Sequence, residues 1–181
     1  MTRIAIIDRA DMDAEQARVH DAAIEAGGVV DGPYYAYIRV PHLFETAQNL
    51  RTCLGSGPLS DRERQVANLV VSRHWSAQYP WCAQVRVSLA VGLEQSVIDA
   101  INARQAPKLP DARERTCYEV SSELLTTMRL SDATYAEAEQ TLGLEDLVVL
   151  VAVVGSFTTT CLTANAVDLD PPDEKSTPLA D

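Results

Sequence analysis

Ser60 followed three residues later by Glu63, directly ahead of the run "QVANLVVSRHW", is a capping box that opens a helix. The same punctuation recurs along the chain and leaves room for little but helices. Asp13 and Gln16 open a helix that stops at Gly27-Gly28. Another starts after Pro41 and ends near Gly55. Pro80 suits a first helical turn, with Gly92 as its stop. "EQSVIDAINAR" is a short helix closed by the loop "QAPKLPD", and "DARERTCYEVSSELLTTMRL" is a longer one. Ser131 caps "DATYAEAEQTL", which ends at Gly143, and a last helix is expected from about Glu145 to Asn165. "VDGPYYAYIRVP" reads as a loop carrying Tyr34, Tyr35 and Tyr37. No stretch alternates as a half-buried strand would. The expected fold is all-α, with about eight helices in a single domain over residues 1–170. The polar, proline-rich residues 171–181 are expected to be a loose tail.

Helices this short persist only when they bury a face. Val66, Leu69, Val70 and Arg73 fall on or near one face of the helix that Ser60 opens. Val85, Leu89 and Ala90 form the expected buried stripe of the next. "LEDLVVLVAVVGSFTTTCLTANAV" is the most apolar segment and nominally long enough to span a bilayer. It contains Ser, Asn and a block of threonines, and no basic residues flank it. A buried core helix is therefore expected, with a membrane span as the alternative.

Acidic residues outnumber basic ones 26 to 15, for a net charge of −11. Without a basic stripe, such a surface repels nucleic acid and anionic membranes alike. The first twenty residues carry acids and no apolar core, so they are not a signal peptide. A cytoplasmic protein is expected. Cys53, Cys82, Cys117 and Cys161 contain no Cys-x-x-Cys pair and no Cys–His cluster, which argues against zinc and against dithiol redox chemistry. No clustered His, Asp or Glu ligands imply a metal, and no cofactor is expected.

His74, Trp75, Tyr79, Trp81, Cys82 and Gln84 crowd into eleven positions. The surrounding block, "LSDRERQVANLVVSRHWSAQYPWCAQVRVSLAVGLEQSVIDAI", resembles the core of the carboxymuconolactone decarboxylase family, which shares its fold with alkylhydroperoxidase D. "GPYYAYIRVPHLFETAQNL", "SDATYAEA" and "VAVVGSFTTTCLTANAV" resemble flanking parts, so the likeness covers roughly residues 10 to 172. The resemblance implies a helical domain in a symmetric homo-oligomer, a trimer favoured over a dimer or hexamer. It also implies a pocket between helices of the central block near a subunit boundary.

The departures are chemical. Where the peroxidase branch has a glutamate, two cysteines and a histidine, this chain has Gln65, Ala77, Pro80 and Gln84. Where the decarboxylase-like branch has a glutamate and the same histidine, it has Pro80 and Gln84. Peroxide reduction needs a thiolate and a resolving thiol, and an amide does not titrate. Neither peroxidase activity nor the usual histidine base is expected.

The remaining groups are candidates for a modified pocket. Gln65, Asn68 and Gln84 would bind a carbonyl, lactone or hydroxyl, or else satisfy one another between helices. His74 is the surviving proton carrier, or a structural histidine bonded to nearby backbone. Arg73 would anchor a carboxylate, or bridge to an acid of a neighbouring subunit. Cys82, close to a helix N-terminus, is the best nucleophile candidate, or a buried core cysteine. Trp75, Tyr79 and Trp81 would line the site for a ring compound, or fill the core. Tyr35 and its neighbours would border the pocket. Glu63 is explained by its capping box.

The leading expectation is a cofactor-independent enzyme of small-molecule metabolism. It would carry out a lyase or decarboxylase, isomerase or cyclase step on an oxygenated ring, lactone or keto acid. Gln84, Gln65 and Asn68 would orient the substrate, and His74 or a tyrosine would move the proton. The alternative is a non-catalytic ligand-binding or scaffold protein on a degenerate enzyme fold. Cofactor-free oxygenation is a weaker third.

Overall fold

The structure is a computed structural model that describes residues 2–171 and 178–180. The described residues form a short 3-10 turn, Arg9–Asp11, and nine helices: α1 (Ala14–Glu25), α2 (Tyr34–Tyr37), α3 (Pro41–Gly55), α4 (Asp61–His74), α5 (Gln78–Ala90), α6 (Gln95–Asn102), α7 (Ala112–Thr127), α8 (Asp132–Leu142) and α9 (Leu144–Ala166). No strand occurs among them. Both capping boxes close as expected. Asp13 accepts from the Gln16 amide while the Gln16 side chain accepts from the Asp13 amide, and Ser60 and Glu63 do the same. Gly92 and Gly143 stop their helices at φ of 82° and 85°, where a side chain would be strained. The tyrosine loop differs from expectation. Tyr34–Tyr37 winds into one helical turn, held by edge-to-face contacts of Tyr34 with Tyr37 and Phe44.

α4 is the central helix and packs against α5, α6, α7 and α9. Its burial runs nearly all round. Val66, Leu69 and Val70 join one apolar cluster with Trp81, Val85 and Ile98, while Ala67 and Val71 join a second with Leu147, Leu150 and Cys161. A third cluster, around Val19, Tyr37 and Phe44, seats α1 and α2 on α3. The expected stripe on α5 is corrected. Val85 is buried, but Leu89 and Ala90 are exposed and Ser88 is buried instead.

Two ion-pair arrays tie the helix starts together. Glu63 accepts from Arg113 Nε at 2.6 Å, and Arg113 Nη2 reaches Asp146 at 2.7 Å, joining α4, α7 and α9. Arg62 Nε donates to Glu114 at 2.5 Å and its Nη2 to Glu94 at 3.0 Å. Glu63 is thus committed twice, to its cap and to Arg113.

α9 is long and apolar enough to cross a membrane, with a mean hydropathy of 2.1 over its most apolar window. Leu147, Leu150, Val153, Val154, Cys161 and Ala164 form its buried inner face. The outer face is exposed at Leu144, Val148, Val151 and Leu162. The expectation of a core helix therefore holds for one face only. Residues 172–177 and 181 of the expected loose tail lie outside the described residues. Residues 178–180 lie against α4, α5 and α6, held by hydrogen bonds.

Candidate functional site

Val70, Arg73 and His74 share one edge of α4, at the spacing that puts side chains on a common helix face. That edge looks across at the end of α6 and at α7. Between them is a half-open cavity of about 160 Å³, lined also by Ile101, Arg104, Gln105, Tyr118, Ser122 and Leu125. Two non-glycine residues in left-handed backbone conformation flank it: Ser76, at φ 46°, turns α4 into α5, and Arg104, at φ 56°, ends α6. Arg104 Nη2 and Arg73 Nη1 both reach the Ser76 hydroxyl at 3.4 Å.

Arg73 is 5% exposed, and every acceptor it uses is neutral: the carbonyls of Asn102 and Ala180 and the Ser76 hydroxyl. It pairs with no carboxylate among the described residues. Burial, and then the like charge of Arg104, lower its pKa. A guanidinium nonetheless stays ionised, so the cavity holds two neighbouring cations in an otherwise acidic protein. His74 is half-buried, and its ring makes no hydrogen bond among the described residues. Burial, followed by the Arg104 cation, lowers its pKa from the ordinary histidine value. Both effects favour the neutral ring, and among the described residues no backbone group holds it.

The amides at the matched relay positions lie elsewhere, between α4 and α5. Ser88 Oγ donates to Gln65 Oε1 at 3.1 Å in a buried contact, and Asn68 Nδ2 donates to Gln84 Oε1 at 3.4 Å. They satisfy one another and a hydroxyl. They line neither the cavity beside Arg73 nor a second one beside Tyr35.

Trp81 is corrected from pocket wall to core. It is fully buried among Val66, Leu69, Val85 and Ile98 and has no open face for a ligand. Trp75 packs toward α9, where its indole N–H donates to Thr158 Oγ1 at 3.3 Å. Cys82 is corrected as well. It lies in the second turn of α5, past the free N–H groups of the helix start, is 5% exposed and accepts from Gln78 Nε2. Tyr79 stacks under Gly32, where an added Cβ would come within 2.5 Å of its ring. Burial, Asp31 and Tyr35 push the Tyr79 phenol up to about 12. Tyr35 lines a second cavity of about 190 Å³ beside His20, Ile38 and Phe44. The expected site residues thus separate into distinct places: Arg73 and His74 line the first cavity and Tyr35 the second. Among the described residues, no three His, Cys, Asp or Glu side chains gather to hold a metal.

Sequence reasoning missed Arg104, Tyr118, Ser122 and Leu125. The last three fall at i, i+4 and i+7 on α7, a helix-face signal that could have marked them. Nothing in the local sequence aims that face at Arg73.

No family model matches the chain, and no curated protein matches it. Solved structures do. An uncharacterised peroxidase-related protein from Silicibacter sp. TM1040 superposes with a TM-score of 0.78 at 20% identity, over 99% of this chain and 96% of that one. The alkylhydroperoxidase AhpD core of a peroxidase-related protein from Ralstonia eutropha JMP134 gives 0.76 at 18% identity, over 96% and 93%. The debrominase Bmp8, solved with 2,3,4-tribromopyrrole, gives 0.72 at 12% identity, over 94% and 93%. The fold is the AhpD-like helical fold.

Proposed function

We propose that this chain is a cofactor-independent enzyme of small-molecule metabolism. Its substrate is an oxygenated ring or keto acid carrying an anionic group, and its reaction is of lyase or decarboxylase type. The carrying observation is Arg73: a buried guanidinium without a carboxylate partner among the described residues, beside Arg104 and the half-buried His74 in one half-open cavity. The two cations favour a substrate carboxylate on binding and an enolate oxygen as it develops. In decarboxylation of a β-keto acid, the bond to the carboxyl carbon breaks. Its electrons pass to the carbonyl oxygen, carbon dioxide leaves, and the enolate carbon then takes a proton. His74 is placed to relay that proton from solvent, and Val70, Ile101 and Leu125 give an apolar wall for the departing carbon dioxide.

The reading excludes dithiol peroxidase chemistry, because positions 77 and 80 hold alanine and proline. It also places the protein in the cytoplasm as a homo-oligomer, a trimer favoured. The test is carbon dioxide release from a panel of β-keto acids and lactone acids, with Arg104→Gln and His74→Gln as controls. Turnover lost in both variants supports the proposal. Absence of turnover across the panel, or turnover unchanged in both variants, sinks it.

One observation favours a second reading, that of a non-catalytic binding protein. Of the amides at the matched relay positions, Gln65 accepts from Ser88 and Gln84 from Asn68, as in a scaffold that has lost its relay. That reading expects saturable binding of the same acids with no product.

A further inference from the structure

Pro178, Leu179 and Ala180 are gripped through their main chain. Asn102 uses both ends of its amide: Nδ2 donates to the Pro178 carbonyl at 3.0 Å, and Oδ1 accepts the Ala180 N–H at 2.9 Å. Gln78 Oε1 accepts the Leu179 N–H at 3.1 Å, and Arg73 Nη2 donates to the Ala180 carbonyl at 2.8 Å. The Leu179 side chain packs on the apolar cluster that holds Val70 and Trp81. An amide that bonds residues i and i+2 of one segment reads an extended backbone, and the leucine supplies an apolar anchor. These are the two ingredients of peptide recognition.

The grip has a consequence for the cavity. A carboxylate held bidentately needs two adjacent guanidinium N–H groups. Arg73 Nε is committed to the Asn102 carbonyl at 2.6 Å, and Nη2 to Ala180. Only Nη1, with its long bond to Ser76, is lightly used. While Ala180 is docked, three of the five guanidinium N–H groups are in use, and Nη2 divides its two between the Ala180 carbonyl and any anion. When Ala180 leaves, the Nη1–Nη2 edge becomes available without that division.

We infer that Gln78, Asn102 and Arg73 form a binding site for an extended peptide segment. The chain's own residues 178–180 fill it, and while filled it partly withholds Arg73 from an anion in the cavity. The second half rests on the reading of the cavity under Proposed function; the first does not.

The test uses the full chain, isotopically labelled, with benzoate as the anionic probe. The amides of Leu179 and Ala180 are expected to resist hydrogen exchange and to resonate away from random-coil positions. Leu179→Gly, which removes the anchor, and Ala180→Pro, which removes the N–H that Asn102 accepts, should each release the segment. Both should bind benzoate about tenfold more tightly than the unaltered chain, the worth of one recovered charge-assisted hydrogen bond. Random-coil amides at 179 and 180 in the unaltered chain overturn the peptide site. Docked amides with equal benzoate affinity in all three proteins overturn the withholding of Arg73. Docked amides with no benzoate binding by any of them overturn the anion reading and the withholding together, and leave the peptide site supported.

Discussion

The Ser88 hydroxyl and the Gln65 amide oxygen meet at 3.1 Å in a buried contact that locks α5 to α4. Gln65 stands where the sequence resemblance places a relay glutamate, yet its oxygen is used to hold two helices together. Ser88→Ala would leave that oxygen buried and unpaired, at a cost of about 1–3 kcal/mol. The double variant Gln65→Leu, Ser88→Ala removes both partners and should regain most of the loss. Urea unfolding of the three proteins checks this. A double variant no more stable than Ser88→Ala alone would show that the contact is not what the single change removes.

His74 has its pKa lowered, first by burial and then by Arg104. The unfolded chain therefore takes up a proton at this position at a higher pH than the folded chain does. The stability that depends on neutral His74 is complete above the unfolded value of about 6.5 and is lost as pH falls from there through the lower folded value. His74→Gln cannot titrate, so its stability should change less with pH across that acidic window. Denaturant midpoints measured from pH 7.5 to 5 for both proteins give the comparison. Parallel curves would mean that folding does not perturb His74.

The helices were legible because their ends are written locally. A serine or aspartate three residues before a Glu or Gln, and a glycine at positive φ, need no knowledge of the rest of the chain. The site was not legible in the same way. Arg73 and His74 could be named from the aromatic stretch, but Arg104 and Tyr118 join them only because α6 and α7 fold back across α4. Trp81 was misplaced for a related reason. α5 is apolar on more than one side, with Val85, Val87 and Leu89 at alternate positions, so its pattern does not say which side is inward. In the structure Ser88 faces Gln65 across the interface while Leu89 is exposed.

Arg113 serves two carboxylates, Glu63 on α4 and Asp146 on α9. Arg113→Met keeps much of the aliphatic stem but strands Glu63, whose side chain is only 6% exposed. Stranding a buried ion costs about 3–5 kcal/mol. Because Arg113 is itself about one-third exposed, water screens part of the pair, and a loss of about 2–3 kcal/mol is expected. Adding Glu63→Gln should return some of it, since the amide still accepts the Ser60 N–H. Chemical denaturation of the single and double variants measures both steps. A single variant within about 0.5 kcal/mol of the unaltered chain, the range of an ordinary surface change, would reduce the array to a surface feature.

Leu144, Val148, Val151 and Leu162 fall on one face of α9 at helical spacing, each at least 44% exposed, and Gly155 between them leaves open space. Soluble chains seldom leave such a stripe uncovered, and the proposed homo-oligomer supplies a partner of matching chemistry, a second copy of the same face. Val148→Glu with Val151→Glu places two charges where that copy would pack, without touching the inner face formed by Leu147, Leu150 and Val154. Light scattering after size-exclusion chromatography should give an oligomer for the unaltered chain and a monomer of unchanged helicity for the variant. A monomeric unaltered chain overturns self-association. An oligomer that survives both charges moves the interface off α9. Sedimentation of the unaltered chain with membranes, abolished by the same charges, would make lipid the partner of this face instead.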